Sequence, residues 1–530
     1  MDLLKRASTV VLGVLLWSVM GLAQAATYYV ATTGSNSGNG SAASPWLTIG
    51  YGLSKLSGGD TLIVKPGTYY DLANFINANQ SNIPNGTASQ YTKVMAETPF
   101  SVRIMNSRSL AYYDNMLLLR GQYVHVDGFI FDMQNSSNPE YNASIDGNYN
   151  KVTRSVFRRA GPVSDYGGWV SIQGSNNLLE DCAGVGAARY GFKIGGPSST
   201  SQNNILRRCV GRIDYSTSTQ PKATFTVYGN NSGNNVRGVL FQNCIAVDSR
   251  RGPSSGEDTY GGFYFSKNAT DVTLQGSIVL NVEAGHAGYF IKEQQGQDIR
   301  MEHSIAWGGS GTPAISGIRA GGSSGPVVLD HVTVGGYASA YYNRDGGSPR
   351  TLTNSLFIDN TMLAGQDYGW TTMSNNAFSP AGQAQGSGAI TNGVSLRYIV
   401  RAESGSGLSG MGTDGKDVGA NITRRYGKSG TLWGEAGFDQ ITTESLWPWQ
   451  HENAIKTVFA ETNNPPSGAV PSSNDTTRGF AARTDAFGKP MTLTRYVWQF
   501  LGNQIPPEIY GSASATTLPA PSGVSATLVK

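Results

Sequence analysis

Through the middle of this chain the hydrophobic and polar positions fall into one short recurring phrase: an apolar residue, two mostly polar ones, then usually a small one. It occurs at nine places between Tyr123 and Phe357: Val126-Asp127-Gly128-Phe129, Val152-Thr153-Arg154-Ser155, Leu179-Glu180-Asp181-Cys182, Leu206-Arg207-Arg208-Cys209, Phe241-Gln242-Asn243-Cys244, Leu274-Gln275-Gly276-Ser277, Met301-Glu302-His303-Ser304, Leu329-Asp330-His331-Val332 and Leu352-Thr353-Asn354-Ser355. The steps between copies are 26, 27, 27, 35, 33, 27, 28 and 23 residues. A period in the twenties, with strand-like alternation and no helix between copies, predicts an all-β coil of parallel strands, a right-handed parallel β-helix. First and fourth positions are both apolar or small, which strict alternation does not give, so a bend is expected inside each phrase.

A second strand precedes many of the phrases, as in Gly168-Trp169-Val170-Ser171-Ile172, Gly191-Phe192-Lys193-Ile194 and Gly262-Phe263-Tyr264-Phe265. Each rung therefore carries at least two strands, joined by turns of Gly, Asn and Ser. Equivalent positions should stack about 4.8 Å apart, which puts Cys182, Cys209 and Cys244 in one inward column with Ser155, Ser277, Ser304 and Ser355. The steps of 35 and 33 imply protruding loops at Asp214–Lys222 and Asp248–Tyr260, and extra residues at one corner of a solenoid are where a groove is built.

Outside the coil, residues 1–25 have Lys5 and Arg6, an apolar run from Val10 to Leu16, and Ala23-Gln24-Ala25. That pattern predicts a cleaved secretory leader and a secreted or periplasmic protein, with no span that stays in the membrane. Residues 26–95 are expected to form an amino-terminal cap and first rung, with Trp46, Ile49 and Leu53 at helical spacing. The coil is expected over 96–400, with Ser395–Val400 as a last strand, then a partly helical carboxy-terminal cap region over 401–512 and a flexible tail over 513–530. Helices are expected at Ala454–Phe459 and Thr492–Leu501, one face covering the far end of the coil.

Composition narrows the class of partner. Gly is abundant at 68, 14% of residues are charged, and the formal net charge is +3 with no basic run; this speaks against nucleic acid. Parallel side chains in one column make poor disulfide geometry, so the three cysteines are expected to be buried thiols. The chain is expected to be a monomer.

The run TYYVATTGSNSGNG…PWLTIGYGLSKLSGGDTLIVKPGTYY resembles the amino-terminal cap and first rung of secreted proteins of the pectate-lyase-like superfamily. Further on, Asn176-Asn177-Leu178-Leu179-Glu180-Asp181-Cys182-Ala183, continuing to Arg189-Tyr190-Gly191-Phe192-Lys193, is similar to rungs of calcium-dependent pectate lyases of that fold. Tyr190 stands where those lyases carry Asp before Gly-Phe, so the resemblance implies polysaccharide chemistry and leaves calcium open.

Lyases and epimerases of uronate polymers must remove the C5 proton beside a carboxylate, which calls for cations and for a base of near-neutral pKa. A lysine beside an arginine supplies such a base, because a like charge lowers its pKa. The outward positions offer Lys193, Arg189 and Lys292 as candidate catalytic groups, and Tyr228, Tyr264 and Arg344 for binding sugar. Each also fits an ordinary surface residue. His286 reads as a turn residue or a proton shuttle, Glu257 and Asp258 in the long loop as solvated groups or as an acid or calcium ligands, and Asp345 lies beside Arg344 on a later rung, with hydrolysis by paired carboxylates open for the two aspartates. His303 and His331, at equivalent places in adjacent rungs, are expected to stack at the surface. The sequence thus points to an exported protein that acts on or binds polysaccharide, possessing lyase or epimerase chemistry if it is an enzyme. The alternative is a non-catalytic surface or matrix scaffold, an adhesin.

Overall fold

The computed structural model describes residues 25–511, apart from 135, 137, 162–166, 197–199, 217, 219–221, 230–235, 250–259, 283–286, 295–297, 309–315, 324–325, 344–349, 365–369 and 462–477. Residues 1–24, the tail from 513, and His286, Glu257, Asp258, Arg344 and Asp345 lie outside the described residues.

Among the described residues the chain winds into a right-handed parallel β-helix of three sheets, with thirteen, twelve and eleven strands. A rung has three strands, one more than the minimum set by the sequence. One rung gives Tyr141–Ile145, Lys151–Thr153 and Val156–Arg159, and the next gives Gly168–Ile172, Leu178–Glu180 and Ala183–Ala187. The first strand of each rung belongs to the eleven-stranded sheet, called here the open sheet. The second belongs to the thirteen-stranded long sheet, and the third to the twelve-stranded flank sheet.

The bend expected inside each phrase is a single residue in the left-handed region. Gly128, Arg154, Asp181, Arg208, Asn243, Gly276, His303, His331 and Asn354, the third position of all nine phrases, have φ between 46° and 89°. One left-handed residue turns the chain sharply from long sheet to flank sheet. Its N–H still points to the next rung: Asp181 donates to the Arg207 carbonyl at 3.0 Å, and Arg208 to the Gln242 carbonyl at 2.7 Å. The fourth residue points inward where three walls converge, and in seven of the nine phrases it is Cys or Ser. It also serves the corner's backbone. The Ser355 hydroxyl donates to Thr353 O at 2.7 Å, and the Cys182 thiol lies 3.4 Å from Glu180 O. Cys182, Cys209 and Cys244 stand on successive rungs, with Val210 N donating to Cys182 O and Ile245 N to Cys209 O. All three are free and buried, and burial pushes the Cys182 and Cys244 thiols well up.

The corner between open and long sheets is stitched differently. Buried Asn150, Asn177 and Asn204 stack, each accepting a main-chain N–H from the rung before at 2.9 Å: Val124, Asn150 and Asn177 in turn. Glycine is required just ahead of them, since a side chain at Gly147 or Gly174 would meet the carbonyl of the rung before at 1.8–1.9 Å. Inside the coil Phe192, Phe225, Phe263 and Tyr289 form a continuous stack with ring centroids 5.3, 4.7 and 5.1 Å apart.

At the amino-terminal end, Thr27–Val30 pairs with Thr61–Val64, and the short helix Ile49–Leu53 buries Ile49 and Leu53 against them. At the other end Ser395–Val400 forms no named strand. There the chain leaves the coil and runs back along the row of corner residues. Asn375 donates to Met411 O at 2.9 Å, Asn354 accepts from Thr413 N at 2.8 Å, and His303 accepts from Asn421 N at 3.3 Å. Further back, Asn243 accepts from Tyr426 N at 2.7 Å and Arg208 donates to Ser429 Oγ at 3.0 Å. Residues 446–461 and 478–510, with helices Glu452–Phe459 and Leu493–Trp498, then lie on the outer face of the flank sheet. Trp447, Trp449, Phe459, Val497 and Trp498 join Val156, Val210, Ile245, Ile278 and Ile305 in one buried cluster. The helices fall where the sequence placed them. They cover the side of the coil, however, and not its far end, because the flank sheet's outward positions are themselves apolar.

Buried charges fasten this wrap. Fully buried Arg207 bonds Glu180 at 3.0 Å and Gln242 at 2.7 Å, and reaches Lys428 O and Phe438 O at 2.9 and 3.1 Å. Arg103 joins Asp132 to Glu461. Among the described residues the wrap's hydrogen bonds fall on the long and flank sheets and their shared corner. The open sheet is left to face outward.

A side chain at Gly276 would meet Asn243 Nδ2 at 2.6 Å and the Tyr426 ring at 3.1 Å, in a conformation that β-branched residues avoid. Gly276→Val should therefore cost about 2–4 kcal/mol, read as a lower denaturant midpoint.

Candidate functional site

On the outer face of the open sheet one column runs Leu118, Ser144, Ser171, Lys193, Thr226 and Tyr264 in strict register. Two residues along the same strands come Arg120, Asp146 and Gln173. Alternation fixes this: Phe192 and Ile194 are buried in the coil, so Lys193 between them points out.

Lys193 is half-buried at the centre of an aromatic cluster. Its Nζ lies 5.4 Å from the centre of the Tyr141 ring and 5.9 Å from that of Tyr228. Tyr190 stacks on Tyr264 with centroids 6.1 Å apart and meets Tyr228 at 6.0 Å. The Arg189 guanidinium lies over the Tyr190 ring at 4.5 Å and donates to its hydroxyl at 3.0 Å. Burial pushes the Lys193 ammonium down to about 8; Glu140 pulls it back up, and the Arg189 charge lowers it further. An amine with that pKa is partly neutral near pH 8 and able to take a proton.

Of the six residues singled out in the sequence, the fold gathers four, Lys193, Arg189, Tyr228 and Tyr264, around Tyr190. Their roles are not the same. Arg189 and Tyr264 are buried at 7% and 3% exposure, so neither presents a surface for stacking on sugar. The reason is Tyr190 itself, which occupies the place expected for an acidic residue and is packed between them. Lys292 belongs to strand Ala287–Gln294, in register with Ser266 and hence in the column of Tyr228, but its side chain lies outside the described residues.

Beside Lys193 the column floors a groove of about 330 Å³, lined by Ser144 and Ser171 with Arg120, Glu140, Asp146, Gln173, Tyr112 and Tyr113. The sequence singled out none of these as a site residue. Tyr112, Tyr113 and Arg120 precede the first phrase of the repeat, where no period marks inside from outside. Lys267, 5.0 Å from the Tyr228 ring, follows directly on strand Tyr260–Ser266 and was legible as an exit residue.

A calcium ion bound where the related rungs carry aspartate needs anionic oxygen donors. Here Tyr190 offers a phenol whose hydroxyl burial pushes up and a guanidinium already occupies. These residues do not fit the ion. Among the described residues no group of three or more His, Cys, Asp or Glu side chains is arranged to hold a metal.

His303 and His331 do stack, with centroids 4.6 Å apart, but His331 is buried beneath the wrap and only His303 is half-open. Partial desolvation, and after it the neighbouring His331 and Lys416, push His303 down to about 4. The pair borders a separate polar cleft of about 580 Å³ between the corner row and residues 416–441.

No protein-family model matches the chain, and no curated protein matches its sequence. Solved structures similar to it include the pectate lyase Pel9A, at 16% identity and a TM-score of 0.45 over 75% of this chain and 96% of that one. A rhamnogalacturonan lyase is 13% identical at a TM-score of 0.38, over 72% and 94% of the two chains. The AlgE6 A-module, a mannuronan C-5 epimerase from Azotobacter vinelandii, is 11% identical at 0.38, over 64% and 92%.

The Lys193 environment is testable without a substrate. NMR of isotopically methylated lysines should show one amine titrating near pH 8. Removing the like charge with Arg189→Gln should move that midpoint up, and Glu140→Gln should move it down.

Proposed function

We propose that the protein is a polysaccharide lyase or C5-epimerase, acting on a uronate-containing polymer laid along the outer face of the open sheet, with Lys193 as the base. The observation that carries this reading is the Lys193 amine, pushed down to about 8, 5.4 Å from the Tyr141 ring and one rung from Ser171, both of which line the groove on the face that the wrap leaves uncovered. A base is most useful when its pKa lies near the working pH.

The neutral amine takes the C5 proton, and the C–H electron pair passes into the adjacent carboxyl group as an enediolate. Nearby positive charge lowers the cost of that anion. Arg189, held under Tyr190, supplies a fixed share of the field; we assign Lys292, one column over, to a neighbouring carboxylate of the same polymer. For elimination the pair returns to form a C4–C5 double bond. The C4–O bond breaks as that double bond forms, and the linkage oxygen leaves with its electrons and gains a proton from water. For epimerisation C5 is instead reprotonated on its opposite face. Tyr228, half-buried between Lys193 and Lys267, borders the bound sugar. A polymer too large to enter a cell suits the export expected from residues 1–25.

The test is ultraviolet absorbance of the unsaturated product, with a panel of uronate polymers, and proton exchange at C5 for epimerisation. Lys193→Ala should lower kcat by about a thousandfold while leaving the melting temperature close to that of the parent. Because the base acts unprotonated, kcat/KM should rise with pH and level off above about 8. Unchanged turnover in the variant removes Lys193 from the role. Neither product nor exchange with any uronate polymer leaves the non-catalytic scaffold as the better reading.

A further inference from the structure

The groove beside Lys193 is not uniformly cationic. Its floor runs from Lys193 through Ser171 and Ser144 to Leu118, three inter-strand steps or about 14 Å, a span of several sugar rings. Lys193 is the cation at one end and Arg120 the cation at the other, with two carboxylates between them. Glu140 accepts the Tyr112 hydroxyl at 3.0 Å, and Asp146 accepts the Ser144 hydroxyl at 2.6 Å and lies 3.9 Å from Arg120 Nε.

At the rim Tyr112 and Tyr113 are 50% and 66% exposed, edge to face with centroids 4.9 Å apart. Their loop is fixed from below, since Asn77 Nδ2 donates to Tyr113 O at 3.2 Å and Asn115 O at 2.7 Å. Exposed rings held rigidly at the mouth of a groove lose little freedom when a flat apolar face, such as that of a pyranose, covers them.

A polymer with a carboxylate on every ring would place one over Glu140 and Asp146, where the like charges repel it. A neutral sugar at that point instead offers hydroxyl donors to the same two acceptors. We propose that the groove takes a heteropolysaccharide in which a neutral sugar neighbours the uronate held at Lys193, with a further ring stacked on Tyr112 and Tyr113. This rests on the proposed action at Lys193, and it adds the substrate class.

Binding is measured by calorimetry on the full-length protein carrying Lys193→Ala, so that turnover does not intervene. The probes are polygalacturonate and a polymer of alternating galacturonate and neutral deoxyhexose. The alternating polymer should bind about tenfold more tightly. Glu140→Gln with Asp146→Asn should erase the difference by strengthening polygalacturonate binding, and Tyr113→Ala should weaken both polymers. Equal or tighter binding of polygalacturonate by the unaltered groove overturns the proposal, as does binding of neither polymer. In either case turnover of any uronate polymer by the Lys193 protein leaves the reading of Lys193 standing, so the two failures are distinguishable.

Discussion

The constraint on which the whole molecule depends is the single left-handed residue between the long and flank sheets. A parallel coil must turn through three walls per rung while every backbone N–H and C=O stays paired along the axis. At this corner there is room for one turning residue. If that residue were extended, the fourth position would point outward and the columns would lose register. Seven of the nine corner residues are not glycine, although each such residue costs about 1–2 kcal/mol in that conformation. Their side chains explain the choice. Arg208, Asn243, His303 and Asn354 are turned outward by the bend, and each bonds the returning chain. One row of strained residues both shapes the coil and fastens its cover.

The coil was legible because its signal is periodic: the apolar first position returns at every rung, with an inward and usually small fourth position. The third strand was not, because it begins immediately after the fourth residue with no turn signal between, as Ala183–Ala187 follows Cys182. The wrap was legible as texture but not as place. Glu180, Arg207 and Arg208 look like surface charges in sequence, yet they are buried by contacts with residues 428–438, more than two hundred positions later. Lys193 followed from alternation between Phe192 and Ile194. The burial of Arg189 and Tyr264 did not, since it arises from Tyr190 packing across three rungs, a relation that no single rung contains.

The location of the groove follows from the same division of faces. The flank sheet shows aliphatic side chains outward and is covered by helices and tryptophans. The long sheet shows Leu178, Ile205 and Leu240 outward, and Leu432 buries with them while Trp433 and Phe438 pack against the cluster. The open sheet instead shows serine, threonine, lysine and tyrosine. Its apolar outward residues, Tyr190, Ala223, Tyr264 and Ala287, bury one another, and the polar ones stand in fixed register. Rigid strands set the spacing of Ser144, Ser171 and Lys193, so the chemistry there is pre-positioned and does not wait for a loop to close.

The returning strap also governs the order in which this protein can be completed. Each rung can stack on the one before as it leaves the ribosome, but the strip of Val210, Ile245, Ile278 and Ile305 stays wet until residues 446–510 have been synthesised. A nascent chain stalled before that point would be an elongated ribbon with one sticky edge, the kind of intermediate that associates with its own copies.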